Sequence, residues 1–161
     1  MPTKMIVFAL VTFLHDLFTA VWIGGLFTLA LSVMPSAKQV LGMNPQTKKL
    51  LNTIQKRHSL WVYISFIGLI LTGLLQSNRS AQFLGLYSFG NTYSAILTLK
   101  HIAVILMIAI ALYRSLVLKE SATPSQEKLK GSLMMMNLIL GVIILLLSGF
   151  TAAITSSAAM L

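Results

Sequence analysis

Four ionisable side chains stand deep inside long apolar stretches of this sequence, in two neighbouring pairs. The pairs are His15 with Asp16 and Lys100 with His101. Placing an ionisable group within a membrane span costs on the order of 3 kcal/mol, so residues of this kind commonly mark a functional site. Imidazole nitrogens suit copper, zinc and iron, and carboxylates can add further ligands. These four residues are therefore candidate ligands of a metal or a haem.

The absence of cysteine narrows the possible cofactors. It excludes thiolate metal sites, iron–sulfur clusters and covalent haem attachment, so any metal or haem must be held by His, Met, Lys or carboxylate groups. Haem b fits, because it needs only axial ligands and an apolar slot. His15 shares a helical stripe with Trp22 and Gly25, which would supply an axial nitrogen, an aromatic wall and a gap for a flat ring. The second axial ligand would be Lys100 or His101, which project about 100° apart on a helix, so that only one faces the site.

Copper is the alternative to haem b. Its candidate ligands are His15, Asp16 and His101, near the outer end of the membrane spans. Thioethers also suit Cu(I). The chain has nine methionines, but the consecutive Met134, Met135 and Met136 point in different directions on a helix, which favours apolar packing.

Structural roles compete with ligation at each position. His15 can hydrogen-bond to a neighbouring helix, and His101 can pack in the helix bundle. Lys100 can extend to the membrane surface or pair with Asp16. His58 stands beside Lys56 and Arg57, which favours a position among lipid headgroups.

The elements that position these residues are membrane spans. The chain is 57% hydrophobic and 9% charged, with a mean hydropathy of +0.86, whereas a soluble domain is about 25% charged. A bilayer core requires roughly 20 apolar helical residues. Four segments qualify, at about residues 5–34, 60–76, 93–118 and 133–153. We predict an all-α integral membrane protein, a four-transmembrane-helix bundle in a single domain over residues 1–161.

The distribution of positive charge predicts the orientation of the bundle. The first and third connections, with the adjoining helix end, carry nine basic residues: Lys38, Lys48, Lys49, Lys56, Arg57, Arg114, Lys119, Lys128 and Lys130. The opposite side carries only Lys4 and Arg79. Because positive residues concentrate in cytoplasmic loops, both termini are predicted on the outer, periplasmic side of a prokaryotic plasma (inner) membrane. His15 and Lys100 would then both lie roughly 10–15 Å in from the outer end of their helices.

The net charge of +9 does not indicate a nucleic-acid partner, because the basic residues lie in short segments between apolar runs. The predicted partner is the lipid bilayer, including its anionic headgroups. So small a bundle also suggests a homo-oligomer or other membrane subunits, and a redox role suggests a quinone.

Several motifs resemble a known membrane family. His15, Trp22, Gly24-Gly25-Leu26 and Pro35 look like the first helix of the copper-resistance D (CopD-like) domain. Arg57-His58-Ser59 and Thr72-Gly73-Leu74-Leu75 are similar to the beginning and end of that family's second helix. The run from Asn91 to Lys100 resembles its approach to the third helix.

The first helix also resembles that of the HemJ-type protoporphyrinogen oxidases, which carry a lysine in helix three. This resemblance implies haem b binding and activity at His15 and Lys100. The chain departs from that group in helix four, where it has an isolated Asn137 in place of the Asn-Glu-x-Pro signature. If the protein is an enzyme, the resemblance implies an oxidoreductase.

The leading prediction is a haem-b protein of electron transfer, alone or as a subunit of a larger membrane complex. The site would comprise His15, Lys100 or His101, Trp22 and Gly25. The alternatives are a copper resistance or copper transport protein, and a structural subunit without a cofactor.

Overall fold

The computed structural model describes residues 3–77, 80, 82–118 and 123–158. Within these ranges the chain forms long helices and no strand. We name the helices α1 (Thr3–Leu41), α2 (Pro45–Ser77), α3 (Thr92–Leu116) and α4 (Pro124–Ala158). All four are long and apolar enough to cross a bilayer. The prediction of an all-α integral membrane protein with four transmembrane helices is therefore confirmed.

Helix α1 contains two π-helical segments, Ala20–Gly24 and Thr28–Val33, between α-helical ones. The second lies just before Pro35, and the helix continues past this proline to Leu41, beyond the end predicted near residue 34. A proline removes the N–H that would bond four residues back. A local π turn is one arrangement that accommodates such a break without ending the helix.

Capping residues set several helix boundaries outside the apolar runs. Gly42 follows α1 with a φ of 71°, a backbone conformation that favours glycine. Asn44 then accepts a hydrogen bond of 2.8 Å from the Thr47 N–H at the start of α2. Because Pro45 suits a first helical turn, α2 begins there rather than near residue 60, and its polar, basic first half is helical too.

Helix α4 also begins earlier than predicted, at Pro124 rather than near residue 133. Thr123 and Gln126 form a reciprocal capping box, with bonds of 3.2 Å and 3.4 Å between each side chain and the other residue's N–H. Hydropathy identifies the part of a helix that enters lipid, whereas caps identify where the helix starts.

The described helices belong to two compact units. The first contains α1 and α2, and the second contains the connection after α2 together with α3 and α4. In the second unit, Asn137 of α4 is buried and donates a 3.4 Å hydrogen bond to the carbonyl of the buried Met107 in α3. The single domain over the whole chain stays a prediction.

Candidate functional site

His15 is half-buried on the face of α1 that meets α2. Its Nδ1 lies 2.9 Å from the Thr72 hydroxyl oxygen, and that hydroxyl donates a 2.7 Å hydrogen bond to the Gly68 carbonyl. A hydroxyl has only one proton. Because this proton goes to Gly68, the Thr72 oxygen accepts from His15 Nδ1–H, and the lone pair of the neutral imidazole is on Nε2.

Sequence reasoning did not identify Thr72 as the hydrogen-bond partner of His15. Metal-binding histidines commonly donate their second ring nitrogen to an oxygen acceptor, which fixes the tautomer and the ring orientation. The neighbouring Gly73 faces the same ring, and a Cβ there would make an ordinary contact of 3.6 Å with His15 Cε1. The Thr72 hydroxyl is thus the group that orients the imidazole. The Thr72-Gly73 motif was visible in the sequence, although its contact with His15 was not.

Asp16 follows His15 but is exposed on α1. Adjacent residues project about 100° apart on a helix, so the two side chains lie on different faces. Joint ligation by Asp16 and His15, and an ion pair of Asp16 with Lys100, stay predictions.

The two surfaces proposed as walls of a haem slot are covered by rings of α2. Trp22 is only 2% exposed, and its ring packs edge-on against Phe66 with centroids 4.3 Å apart. Gly25 faces the imidazole of His58, which occupies the space that a Cβ at this position would need. A porphyrin needs an open apolar slot beside its axial ligand. Around Trp22 and Gly25 the side chains of the first unit already fill that space.

His58, which was expected among lipid headgroups, packs against α1. It is half-buried, its ring lies on Gly25, and its Nε2 has no hydrogen-bond partner among the described residues. The ring that lies on Gly25 comes from α2, and the role of Gly25 beside a haem stays a prediction. Ten positions separate His15 from Gly25, or about 15 Å of helix, so His15 and His58 occupy different levels of the first unit.

The second unit presents His101 in a similar arrangement. Its Nδ1 lies 2.8 Å from the Leu97 carbonyl oxygen, one turn earlier in α3. A carbonyl can only accept, so Nδ1 carries the proton and the lone pair of the neutral ring is on Nε2. The Tyr87 ring lies beside the imidazole, with centroids 6.5 Å apart and planes tilted by 55°. Lys100 is also half-buried, and adjacent residues project about 100° apart on a helix.

The described residues contain no cluster of three or more His, Asp or Glu side chains that could hold a metal ion. Each unit instead presents a single imidazole whose Nδ1 is held by an oxygen acceptor. A shared site that joins His15 to Lys100 or His101 stays a prediction.

Comparison with known proteins identifies one family. The family model described as copper resistance protein D matches residues 52–153. No curated protein and no solved structure matches the chain. The match covers most of α2, all of α3 and most of α4, and therefore includes His58, Thr72 and His101 but not the first helix with His15. Because it extends over more than half of the 161 residues, the chain belongs to the copper resistance protein D (CopD) family of membrane proteins.

Proposed function

We propose that this protein handles copper within the membrane, in copper resistance or copper transport, and that His101 is its principal imidazole donor. Membership of the CopD family favours this function over haem-b electron transfer. The observation that supports His101 is its 2.8 Å bond to the Leu97 carbonyl, which directs the proton to Nδ1 and the lone pair to Nε2. Neutral imidazole with an oriented second nitrogen is a common copper ligand.

His15 is the second proposed donor. Its imidazole is held by the Thr72 hydroxyl at 2.9 Å in the same tautomer, although it lies outside the matched residues. A copper ion bound by a single imidazole, without a cluster of further ligands in the described part of the chain, would be held weakly enough to exchange. Weak binding suits a protein that passes an ion on rather than one that stores it.

Haem b is the less well supported candidate. The His15 tautomer would suit an axial ligand, but Phe66 and His58 cover Trp22 and Gly25, the surfaces proposed for the ring. The relation to protoporphyrinogen oxidases, a quinone partner and additional subunits rest on the sequence alone.

Measurements on a single preparation distinguish the copper proposal from the haem proposal. The full chain is purified in detergent from cells supplied with both haem precursor and copper, and its absorption spectrum and bound copper are measured. We expect bound copper, lost on washing with a copper chelator, and no Soret band. A Soret band with sharp α and β bands after dithionite reduction would overturn the copper proposal and restore haem b.

We further propose that the basic connections face the cytoplasm of a prokaryotic cell. The end of α1 and the start of α2, on either side of the first connection, carry Lys38, Lys48 and Lys49, and such residues are retained on the cytoplasmic side. Alkaline phosphatase fused after Leu161 is expected to be active, and green fluorescent protein fused there to be dark. Fusions after Met43 should show the reverse. The opposite pattern at the two positions would contradict this orientation.

A further inference from the structure

The connection between α2 and α3, residues 82–91, is tied by hydrogen bonds to the first turns of α3 within the second unit. The Leu84 N–H donates to the Ser94 hydroxyl at 3.1 Å, and that hydroxyl donates to the Gln82 carbonyl at 3.1 Å. The Ser88 N–H donates to the Thr98 hydroxyl at 3.0 Å. Ser94 and Thr98 are 0% and 1% exposed. Two buried hydroxyls of α3 thus satisfy backbone groups of this connection.

Asn91 closes the connection at its far end. Its side-chain oxygen accepts from the Ser94 N–H at 2.7 Å, which caps α3, and its side-chain nitrogen donates to the Gln82 carbonyl at 2.8 Å. Irregular backbone is tolerated at membrane depth only where the protein itself supplies hydrogen-bond partners. The connection meets that condition at both ends and in its middle.

The exposed surface of the same connection is mainly apolar and carries no charge. Residues 80–91 contain no Asp, Glu, Lys or Arg. Four large apolar side chains are exposed there: Leu84 at 58%, Leu86 at 37%, Tyr87 at 64% and Phe89 at 69%. The first connection differs, because the start of α2 that follows it carries Lys48 and Lys49.

We propose that residues 82–91 lie in the boundary between headgroups and acyl chains of the bilayer, with Tyr87 and Phe89 as interfacial anchors. The occupant of this apolar surface is lipid, because the surface is continuous with the membrane span of α3, which begins at Thr92 directly after it. Tyrosine and tryptophan concentrate at this level of a membrane, where the apolar ring meets lipid and the polar tip meets water. Phe89 adds a purely apolar ring beside Tyr87. Tyr87 also lies beside His101 within the second unit. The proposal does not depend on copper.

The absence of native cysteine allows a direct test. Tyr87→Cys and Phe89→Cys variants of the full chain are labelled with a nitroxide and reconstituted in vesicles of phosphatidylcholine and phosphatidylglycerol. The accessibility of each label to oxygen, which partitions into lipid, is compared with its accessibility to a water-soluble nickel complex. Ile105→Cys, in the middle of α3 and 51% exposed, is the reference for acyl chains. Ser125→Cys, exposed at the polar start of α4, is the reference for water.

Labels at both positions are expected to be more accessible to oxygen than to nickel, with a ratio between those of the two references and closer to that of Ile105. A nickel accessibility equal to that of Ser125 would overturn the proposal, since the connection would then lie in water. Low accessibility to both reagents would also overturn it, because the surface would then be covered by protein rather than by lipid.

Discussion

His101→Ala is expected to weaken copper binding by the purified protein at least tenfold. Loss of a group that merely orients a metal ligand typically costs about 10–100-fold in metal affinity, so loss of the ligand itself should cost no less. The variant removes the imidazole whose proton is held on Nδ1 by the Leu97 carbonyl. Affinity is measured for the full chain in detergent by competition with a chromophoric Cu(I) chelator.

The matched control is His58→Ala. His58 is also half-buried, but its ring packs on Gly25 in the contact between α1 and α2. This substitution is expected to leave copper affinity close to that of the wild type, because His58 is not a proposed copper donor. Equal losses in the two variants, or full affinity in His101→Ala, would contradict the assignment of His101.

His15 can be tested through its partner without removing the imidazole. Thr72→Val keeps the shape of the side chain but removes the oxygen that accepts from Nδ1. If His15 binds copper, Thr72→Val should weaken binding less than His15→Ala does, because the ring is retained but no longer held in one tautomer. If both variants bind copper like the wild type, His15 has a structural role and His101 acts without it.

Gly25→Ala is expected to destabilise the contact between α1 and α2, with a cost of about 1–3 kcal/mol, which is typical of overpacking. The new methyl group would collide with the His58 ring, whose Nδ1 and Nε2 would lie 3.0 Å and 3.2 Å from it, with Cε1 closer still. For a chain of this size each kcal/mol lowers the melting temperature by roughly 2–4 °C. The measurement is thermal unfolding of the detergent-solubilised protein.

Gly24→Ala provides the control at the adjacent position. A Cβ there meets no atom within 4 Å, and alanine favours a helix by up to about 1 kcal/mol over glycine. Its melting temperature should therefore equal or exceed that of the wild type. If Gly24→Ala and Gly25→Ala melt alike, His58 does not pack on Gly25 as described.

The double variant Gly25→Ala with His58→Ala tests whether the methyl group at position 25 destabilises the protein by colliding with the His58 ring. Removing the ring also removes the obstacle to the methyl group, so the two effects should not add. A double variant more stable than the sum of the single changes predicts would support the contact, and simple additivity would argue against it.

The sequence alone determined that the protein spans the membrane with four helices, because apolar runs of sufficient length can satisfy their backbone in lipid only as helices. It also determined the CopD resemblance, which the match over residues 52–153 confirmed. The resemblance was argued from helices one to three, whereas the match covers helices two to four. His15 and Trp22 in the first helix therefore rest on their spacing and on the geometry of the first unit.

Helix boundaries were less accessible to sequence reasoning. The polar half of α2 and the start of α4 were assigned to connections, although Asn44 and the Thr123–Gln126 box carried recognisable capping signals. The continuation of α1 past Pro35 depended on a π turn, which leaves no clear pattern in composition.

The contacts of the candidate site were decided only by the tertiary structure. Spacing placed His15, Trp22 and Gly25 on one helical face. In the structure this face packs against α2, where the three residues contact Thr72, Phe66 and His58, respectively. Which residues meet depends on the rotation and register of two packed helices, and these are set by the sum of many small contacts along the interface rather than by any local motif. For that physical reason, spacing alone did not reveal that the His58 imidazole lies on Gly25.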